Sequence, residues 1–216
     1  MTAVVNIRRL SEGHFSQVFG ISSDRNPSAN NLVIKIGGNC SDVSEDSWWD
    51  YAKWVMSVRA KKVCPGRQHL PDIRFIDKDA AVAVMTKMVA TVHDMSTECR
   101  IAVMDKYFTV HPLNGAVCHL DSGTSHEMIR SLWNEISNFA SRCSSKAKHS
   151  GLHKKKKVHF KMPKGFHPKK SFKDFIHLIR WVAKNYEHEL NDLHSQNMMI
   201  DADFNIVITD PSSWRS

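Results

Sequence analysis

Close to its C-terminus the chain reads Leu190-Asn191-Asp192-Leu193-His194-Ser195-Gln196-Asn197, then Met198-Met199-Ile200, Asp201-Ala202-Asp203 and Ile206-Val207-Ile208-Thr209-Asp210-Pro211. Two short apolar runs around a turn-prone Asp-Ala-Asp predict a hairpin over Met198 to Ile200 and Ile206 to Thr209. Placed between Asn197 and Asp210, that hairpin returns the second acid to the first acid and the amide. Asn197 and Asp210 then present two oxygen donors of the kind Mg²⁺ prefers, with water and substrate phosphate as its remaining ligands. Asp192 is left to meet an acceptor hydroxyl. Asp and Asn also serve turns with no chemistry attached, so the pattern gains weight only from independent features elsewhere.

Those features lie upstream, in the first third of the chain. Val4, Val5 and Ile7, then Phe15, Val18, Phe19 and Ile21, then Leu32-Val33-Ile34-Lys35-Ile36 before Gly37-Gly38 predict three strands joined by turns. Ser44 to Lys62 switches to helical character, with acids in the first turn and Arg59, Lys61 and Lys62 near the end, which suits the helix dipole. Strands at Ile73 to Ile76 and Ala81 to Met85 complete a β-β-β-α-β-β order. Between the first two strands, Ser11, Gly13 and Ser16 supply small residues where a backbone covering phosphate oxygens needs close approach, and Val18 follows. Seventeen residues later Lys35 sits inside an apolar strand. A lysine there either snorkels from an edge or pairs with an anion, for which ATP phosphates would serve. Glu45, Asp46 and Asp50 are its candidate carboxylate partners from the following helix.

The remainder becomes helical. Thr124 with Glu127 predicts a capping box opening a helix to Ser141, with Met128, Leu132, Ile136 and Phe139 on one face. Ser171 with Asp174 predicts the cap of a second helix, whose Phe172, Phe175, Ile179, Val182 and Tyr186 suit burial against the first. Between them, Lys146 to Lys170 holds ten lysines and no arginine or acid, although the whole chain of 216 residues carries only +8. The basicity is therefore local. Gly151, Pro163, Gly165 and Pro168 break regular structure in it, so it reads as an exposed loop that either is merely solvated or attracts phosphate or acidic protein surfaces.

An apolar fraction of 42% argues against overall disorder. Five scattered cysteines without C-x-x-C spacing suggest neither zinc nor a disulfide framework, and the loop histidines His149, His153, His159 and His167 lack fixed ligand spacing. No segment has the apolar length to span a bilayer, and the first residues lack a signal-peptide core, so the expectation is a soluble intracellular protein with no membrane association.

Gly13-His14-Phe15-Ser16, Val33-Ile34-Lys35-Ile36-Gly37, Glu45-Asp46-Ser47 with Tyr51, Asp192 with His194-Ser195 and Asn197, and Ile208-Thr209-Asp210-Pro211 together make the chain resemble the early serine/threonine protein kinases of bacteriophages of the T-seven group. The resemblance implies an α+β, two-lobed protein-kinase-like fold. Residues 1–88 would form an antiparallel sheet with one helix. Residues 89–216 would form a reduced, mainly helical lobe with the basic loop 146–170 and the catalytic loop 190–210. It implies Mg-ATP, or Mn²⁺ in place of Mg²⁺, with Ser11, Gly13, Ser16, Val18, Lys35, Met85 and Met88 around the nucleotide, Met85 being the gatekeeper and Thr86-Lys87-Met88 the hinge. Asp192 would be the base, Asn197 and Asp210 the metal ligands, and His194 a helper at the γ-phosphate or of the loop. It further implies an early protein of the host bacterial cytoplasm that phosphorylates host proteins such as RNA polymerase and RNA-processing enzymes and shuts off host transcription.

Departures from an ordinary protein kinase qualify this picture. Two glycines of the glycine-rich loop are serines, and Asn191 replaces the arginine that clamps a phosphorylated activation loop. Asp210 is followed by Pro211, and the chain stops at Ser216, so no activation segment, A-P-E element or lower helices are expected. Two rivals follow: a small-molecule phosphotransferase, suggested by His194 two residues after Asp192, and a pseudokinase-like inhibitory binder of host machinery. Nucleic-acid binding through the lysines ranks last, since no aromatic ladder accompanies them.

Overall fold

The computed structural model describes residues 5–12, 16–37, 47–77, 82–88, 90–91, 118–119, 126–148, 157–164, 166–203 and 205–211. These form an α+β protein with ten strands and three α-helices. The chain divides into two compact units. Among the described residues, one takes those up to Ala60 and Pro71–Lys87; the other takes Lys61–Leu70 and those from Met88 to Pro211.

In the first unit, β1 (Val5–Glu12), β2 (Ser16–Ser23), β3 (Leu32–Gly37), β4 (Ile73–Asp77) and β5 (Val82–Thr86) form an antiparallel sheet of order β1-β2-β3-β5-β4. Helix α1 (Ser47–Lys61) follows β3, so the β-β-β-α-β-β order is present. Directly opposed residues in a sheet share a face. Ser16 pairs with Gly37, Val18 with Lys35, Lys35 with Ala83, and Val33 with Met85, which puts Ser16, Val18, Lys35 and Met85 on one face. Ser16, Val33 and Ala83 are buried there, whereas Ile36 and Phe75 on the other face stay exposed. Helix α1 buries Trp48, Trp49, Tyr51, Ala52, Val55 and Val58, a stripe at helical spacing. The end of β5 is fixed by backbone bonds from Thr86 N to Asp72 O (2.9 Å) and from Lys87 N to Asn31 O (2.8 Å).

In the second unit, α2 (His126–Lys148) packs on α3 (Lys170–Asn185). The expected stripes meet there: Leu132, Ile136 and Phe139 from α2, and Phe172, Phe175, Ile179 and Val182 from α3, are almost completely shielded from solvent. Met128 is a residue of α2 whose side chain lies outside the described set, as does the capping residue Thr124. Strands β9 (Met198–Ile200) and β10 (Ile206–Ile208) form the expected hairpin, with every side chain of β10 buried. Two additions have no counterpart in the sequence reading. Strand β6 (Ala90–Thr91) extends that hairpin to three strands, and β7 (Cys118–His119) pairs with β8 (His167–Pro168).

Three expectations are corrected. Helix α2 runs past Ser141 to Lys148, because Cys143 and Ser144 continue its buried face. Helix α3 is not capped by Ser171; it opens at Lys170 with Lys169 as N-cap and no side-chain cap, leaving Ser171 and Asp174 inside the helix. The stretch from Lys146 to Lys170 is not simply an exposed loop. Its first residues close α2, Lys170 opens α3, Phe166 is buried, and Phe160 stands edge-on to Phe139 (5.4 Å) and Phe172 (5.6 Å). Cys64 and Cys143 are buried as thiols, the former reaching the Pro65 carbonyl at 3.3 Å, and burial pushes the Cys143 thiol up. Among the described residues no helix is long and apolar enough to cross a membrane.

A short 3₁₀ turn at Arg67–His69 follows Gly66, whose positive φ of 64° suits glycine and whose missing side chain lets His69 and the Asp174 carbonyl approach. His69 is almost fully buried against Phe175 and donates from Nδ1 to the Ile206 carbonyl at 2.8 Å. Its Nε2 is buried with no hydrogen-bond partner among the described residues. Burial therefore disfavours the imidazolium and pushes the His69 pKa down, against smaller opposing contributions from the Ile206 hydrogen bond and from Asp174 and Asp201. A depressed histidine stabilises the fold above its unfolded pKa of about 6.5 and loses that contribution as pH falls below it. Urea denaturation should show stability declining as pH is lowered from about 6.5 to 5, with a shallower decline in His69→Asn, which keeps a donor for Ile206; equal slopes would refute the assignment.

Candidate active site

The segment that carries Asp192 is held at both sides by helix α2. Ser137 and Ser144 lie seven residues apart on its inward face, the spacing of two helical turns. The Ser137 hydroxyl, which also reaches Trp133 O at 3.1 Å, donates to the Leu193 carbonyl, and Ser144 Oγ accepts from Leu190 N at 3.0 Å. Leu190 and Leu193 are themselves buried, so the chain between them, Asn191-Asp192, is turned outward as a short anchored loop.

Asn197 joins this loop to the hairpin that follows. Its Nδ2 donates to the Asp192 carbonyl at 2.8 Å and to Asp192 Oδ2 at 3.0 Å. Its backbone carbonyl accepts from Thr209 N (3.0 Å), Thr209 Oγ1 (2.9 Å) and Asp210 N (3.3 Å). Asp192 N, in turn, donates to Pro211 O at 3.2 Å. Across the hairpin, the Asp201 carboxylate accepts from Asp203 N, Asn205 N and Asn205 Nδ2 at 2.8 to 3.1 Å, fixing the turn that the Asp-Ala-Asp sequence suggested. Asp192, Asn197 and Asp210 are thus brought together as expected.

His194 joins them. Its Nδ1 accepts from Gln196 N at 3.1 Å, and its Nε2 lies 3.3 Å from Asn197 Nδ2 and 3.5 Å from Asp192 Oδ1. The Asp192 carboxylate, about one third exposed, is therefore approached from one oxygen by His194 and from the other by Asn197 while remaining open to solvent.

Asn197 spends its side-chain nitrogen on Asp192, which leaves the amide oxygen as the atom able to meet a cation. Asp210, bonded through its amide to Asn197, adds a carboxylate whose Oδ1 is buried. One amide oxygen and one carboxylate fit Mg²⁺ or Mn²⁺, which complete their shells with water and phosphate. Among the described residues no group of three or more His, Cys, Asp or Glu side chains gathers to hold a metal.

The other candidates belong to the first unit. Lys35 points from β3 with its ammonium 3.9 Å from the centre of the Trp48 ring, a cation–π contact. Of the carboxylates considered for it, Glu45 and Asp46 lie outside the described residues, and Asp50 is in the first turn of α1. Val18 and Ala83 flank Lys35 in the adjoining strands. β1 and β2 are paired up to Glu12 and Gln17, so the segment read as a phosphate-covering loop joins two hydrogen-bonded strands; Gly13 and the Ser11 side chain are outside the described set. Ser16 is buried, and Met85 and Met88 are half-buried. Since the amide hydrogens of Thr86 and Lys87 are already engaged, the Met88 N–H is the donor of the expected hinge that the described backbone bonds do not use.

Sequence reasoning missed three contributors: Ser137, Ser144 and Trp48. Small polar residues on the apolar face of an amphipathic helix were the signal for the serines, and an indole in the first turn after the lysine strand was the signal for Trp48.

The chain matches no protein-family model and no curated protein. Ser144→Ala would leave the buried Leu190 N–H without an acceptor, at a cost of about 1–3 kcal/mol. The expected outcome is a lowered urea midpoint together with faster hydrogen exchange at the Leu190 amide, and unchanged exchange there would disprove the anchoring role.

Proposed function

We propose that the chain is a Mg-ATP-dependent phosphotransferase with a protein-kinase-like arrangement, acting on serine or threonine hydroxyls of proteins. The observation that carries this reading is the Asn197 node. One asparagine holds the carboxylate of Asp192 with its side chain and the amide of Asp210 with its main chain. Turn chemistry alone does not require an open carboxylate beside a buried one.

Asp192 accepts the hydrogen bond of the acceptor hydroxyl and takes its proton as the oxygen bonds to the γ-phosphorus of ATP. The bond from that phosphorus to the β–γ bridging oxygen breaks, and ADP leaves with the electron pair. His194, whose Nε2 stands 3.5 Å from Asp192 Oδ1, helps keep Asp192 oriented. Asn197 and Asp210 would hold Mg²⁺, which supplies charge neutralisation of the phosphates when bound. Lys35 neutralises phosphate oxygens, and the indole of Trp48 keeps its ammonium placed. The contribution of the protein is orientation and charge stabilisation, as phosphoryl transfer demands. The resemblance to early phage kinases supports host bacterial proteins of transcription and RNA processing as the substrates and the host cytoplasm as the place of action.

The position of His194 beside Asp192 favours a second reading, phosphoryl transfer to a small-molecule alcohol. Incubation with γ-labelled ATP, a bacterial lysate and a metabolite panel separates the two by where the label goes. For protein transfer, Asp192→Asn should lower the rate at least about 100-fold with little change in the KM for ATP, whereas Lys35→Ala should act chiefly on that KM. Equal protein labelling by wild type and both variants would end this reading.

A further inference from the structure

The basic segment after α2 is built as a strap. Along residues 157–161 exposure alternates with the period of two of an extended chain: Lys157, His159 and Lys161 are exposed, while Val158 and Phe160 turn inward. Phe160 is seated between Phe139 of α2 and Phe172 of α3. The backbone is pinned as well. Arg180 donates to the Val158 carbonyl at 3.4 Å while stacking over Phe139, and Arg142 reaches the His159 carbonyl at 3.5 Å. Glu135 Oε1 accepts from Lys161 N at 3.0 Å and from Arg142 at 2.7 Å. A lysine run that were only solvated would not need an aromatic anchor and side chains from two helices on consecutive residues.

We propose that this strap is a docking surface for an extended acidic polypeptide segment. In an extended chain, alternate side chains on one face recur about every 6.6 Å. The outward row Lys157, His159 and Lys161 therefore matches a partner strand with acids at every second position. Charge complementarity names the sign of the partner: no acidic residue lies anywhere from Lys146 to Lys170, and exposed Lys164 and Lys170 prolong the positive surface. The aromatics name its class. Single-stranded nucleic acid is bound by exposed rings on which bases stack, but Phe160 is committed to Phe139 and Phe172 and Phe166 is buried. The Val158 and His159 carbonyls and the Lys161 N–H face the helices, so the partner is held by side-chain charge and not by added sheet hydrogen bonds. Because the strap is pinned in advance, binding does not first have to order it.

The experiment measures binding of a fluorescent peptide of alternating glutamate and serine, by anisotropy at several salt concentrations, to the full chain and its variants. A single-stranded RNA of equal charge is run in parallel. The doubly substituted Lys157→Ser, Lys161→Ser chain, altered only at exposed positions, should lose at least about tenfold in affinity. Phe160→Ala removes the anchor and no charge, and should also weaken binding, by about threefold or more, with the far-ultraviolet circular dichroism preserved. Should Phe160→Ala unfold the chain, Glu135→Gln, a near-isosteric change at a half-buried position that weakens the hold on Lys161 N and makes the surface more positive, should weaken peptide binding. Stronger or equal binding by Glu135→Gln would overturn the proposal, as would unchanged binding by a folded Phe160→Ala, RNA binding as tight as peptide binding, or no peptide binding at all.

Discussion

The placement of the candidate catalytic groups depends on Asn197 being in two places at once, chemically speaking. Its amide nitrogen reaches back to the carbonyl and carboxylate of Asp192, and its carbonyl oxygen reaches forward to Thr209 and Asp210. The hairpin between supplies the geometry that makes this possible: β9 and β10 are buried throughout their inward positions, and Asp201 and Asn205 close the turn. Helix α2 holds the near end through Ser137 and Ser144. Hydrogen bonds of this kind contribute only about 1 kcal/mol each to stability. Their value here is positional, because an acid that must meet a hydroxyl works only when its orientation is fixed.

Much of this was legible in the sequence because the signals were local. Apolar runs at Leu32 to Ile36 and Ala81 to Met85 reported the strands, and their observed register puts Val18, Lys35 and Met85 on a common face. The Asp-Ala-Asp turn and the apolar runs around it reported the hairpin. What was illegible depended on partners distant in the chain. A two-residue strand such as β6 has no period to detect and exists only because β9 offers an edge. The cap expected from Ser171 failed because Lys169 and Lys170 already enter the helix after the β8 pairing, so the local preference was overridden by where the strap delivers the chain. Charge density hid the strap itself: ten lysines drew attention away from Phe160 and Phe166, two aromatic residues that no solvated loop requires.

Lys35 illustrates the same lesson from the opposite side. Sequence reasoning sought a carboxylate for a lysine in an apolar strand, following the rule that a buried charge needs a counter-charge. The indole face of Trp48, which was not among the partners considered, stands against its ammonium. Such a contact steadies the ammonium and is compatible with its proposed role of meeting phosphate.

The claim that most of this account rests on is that Asn197 and Asp210 form the metal end of a nucleotide site. Paramagnetic line broadening tests it directly: Mn²⁺ is titrated, with a non-hydrolysable ATP analogue, into the isotopically labelled protein. The account predicts that the side-chain amide of Asn197 and the backbone amide of Asp210 broaden first, at substoichiometric Mn²⁺. Broadening that spares Asn197 and Asp210, or that appears first at another cluster of residues, would contradict it.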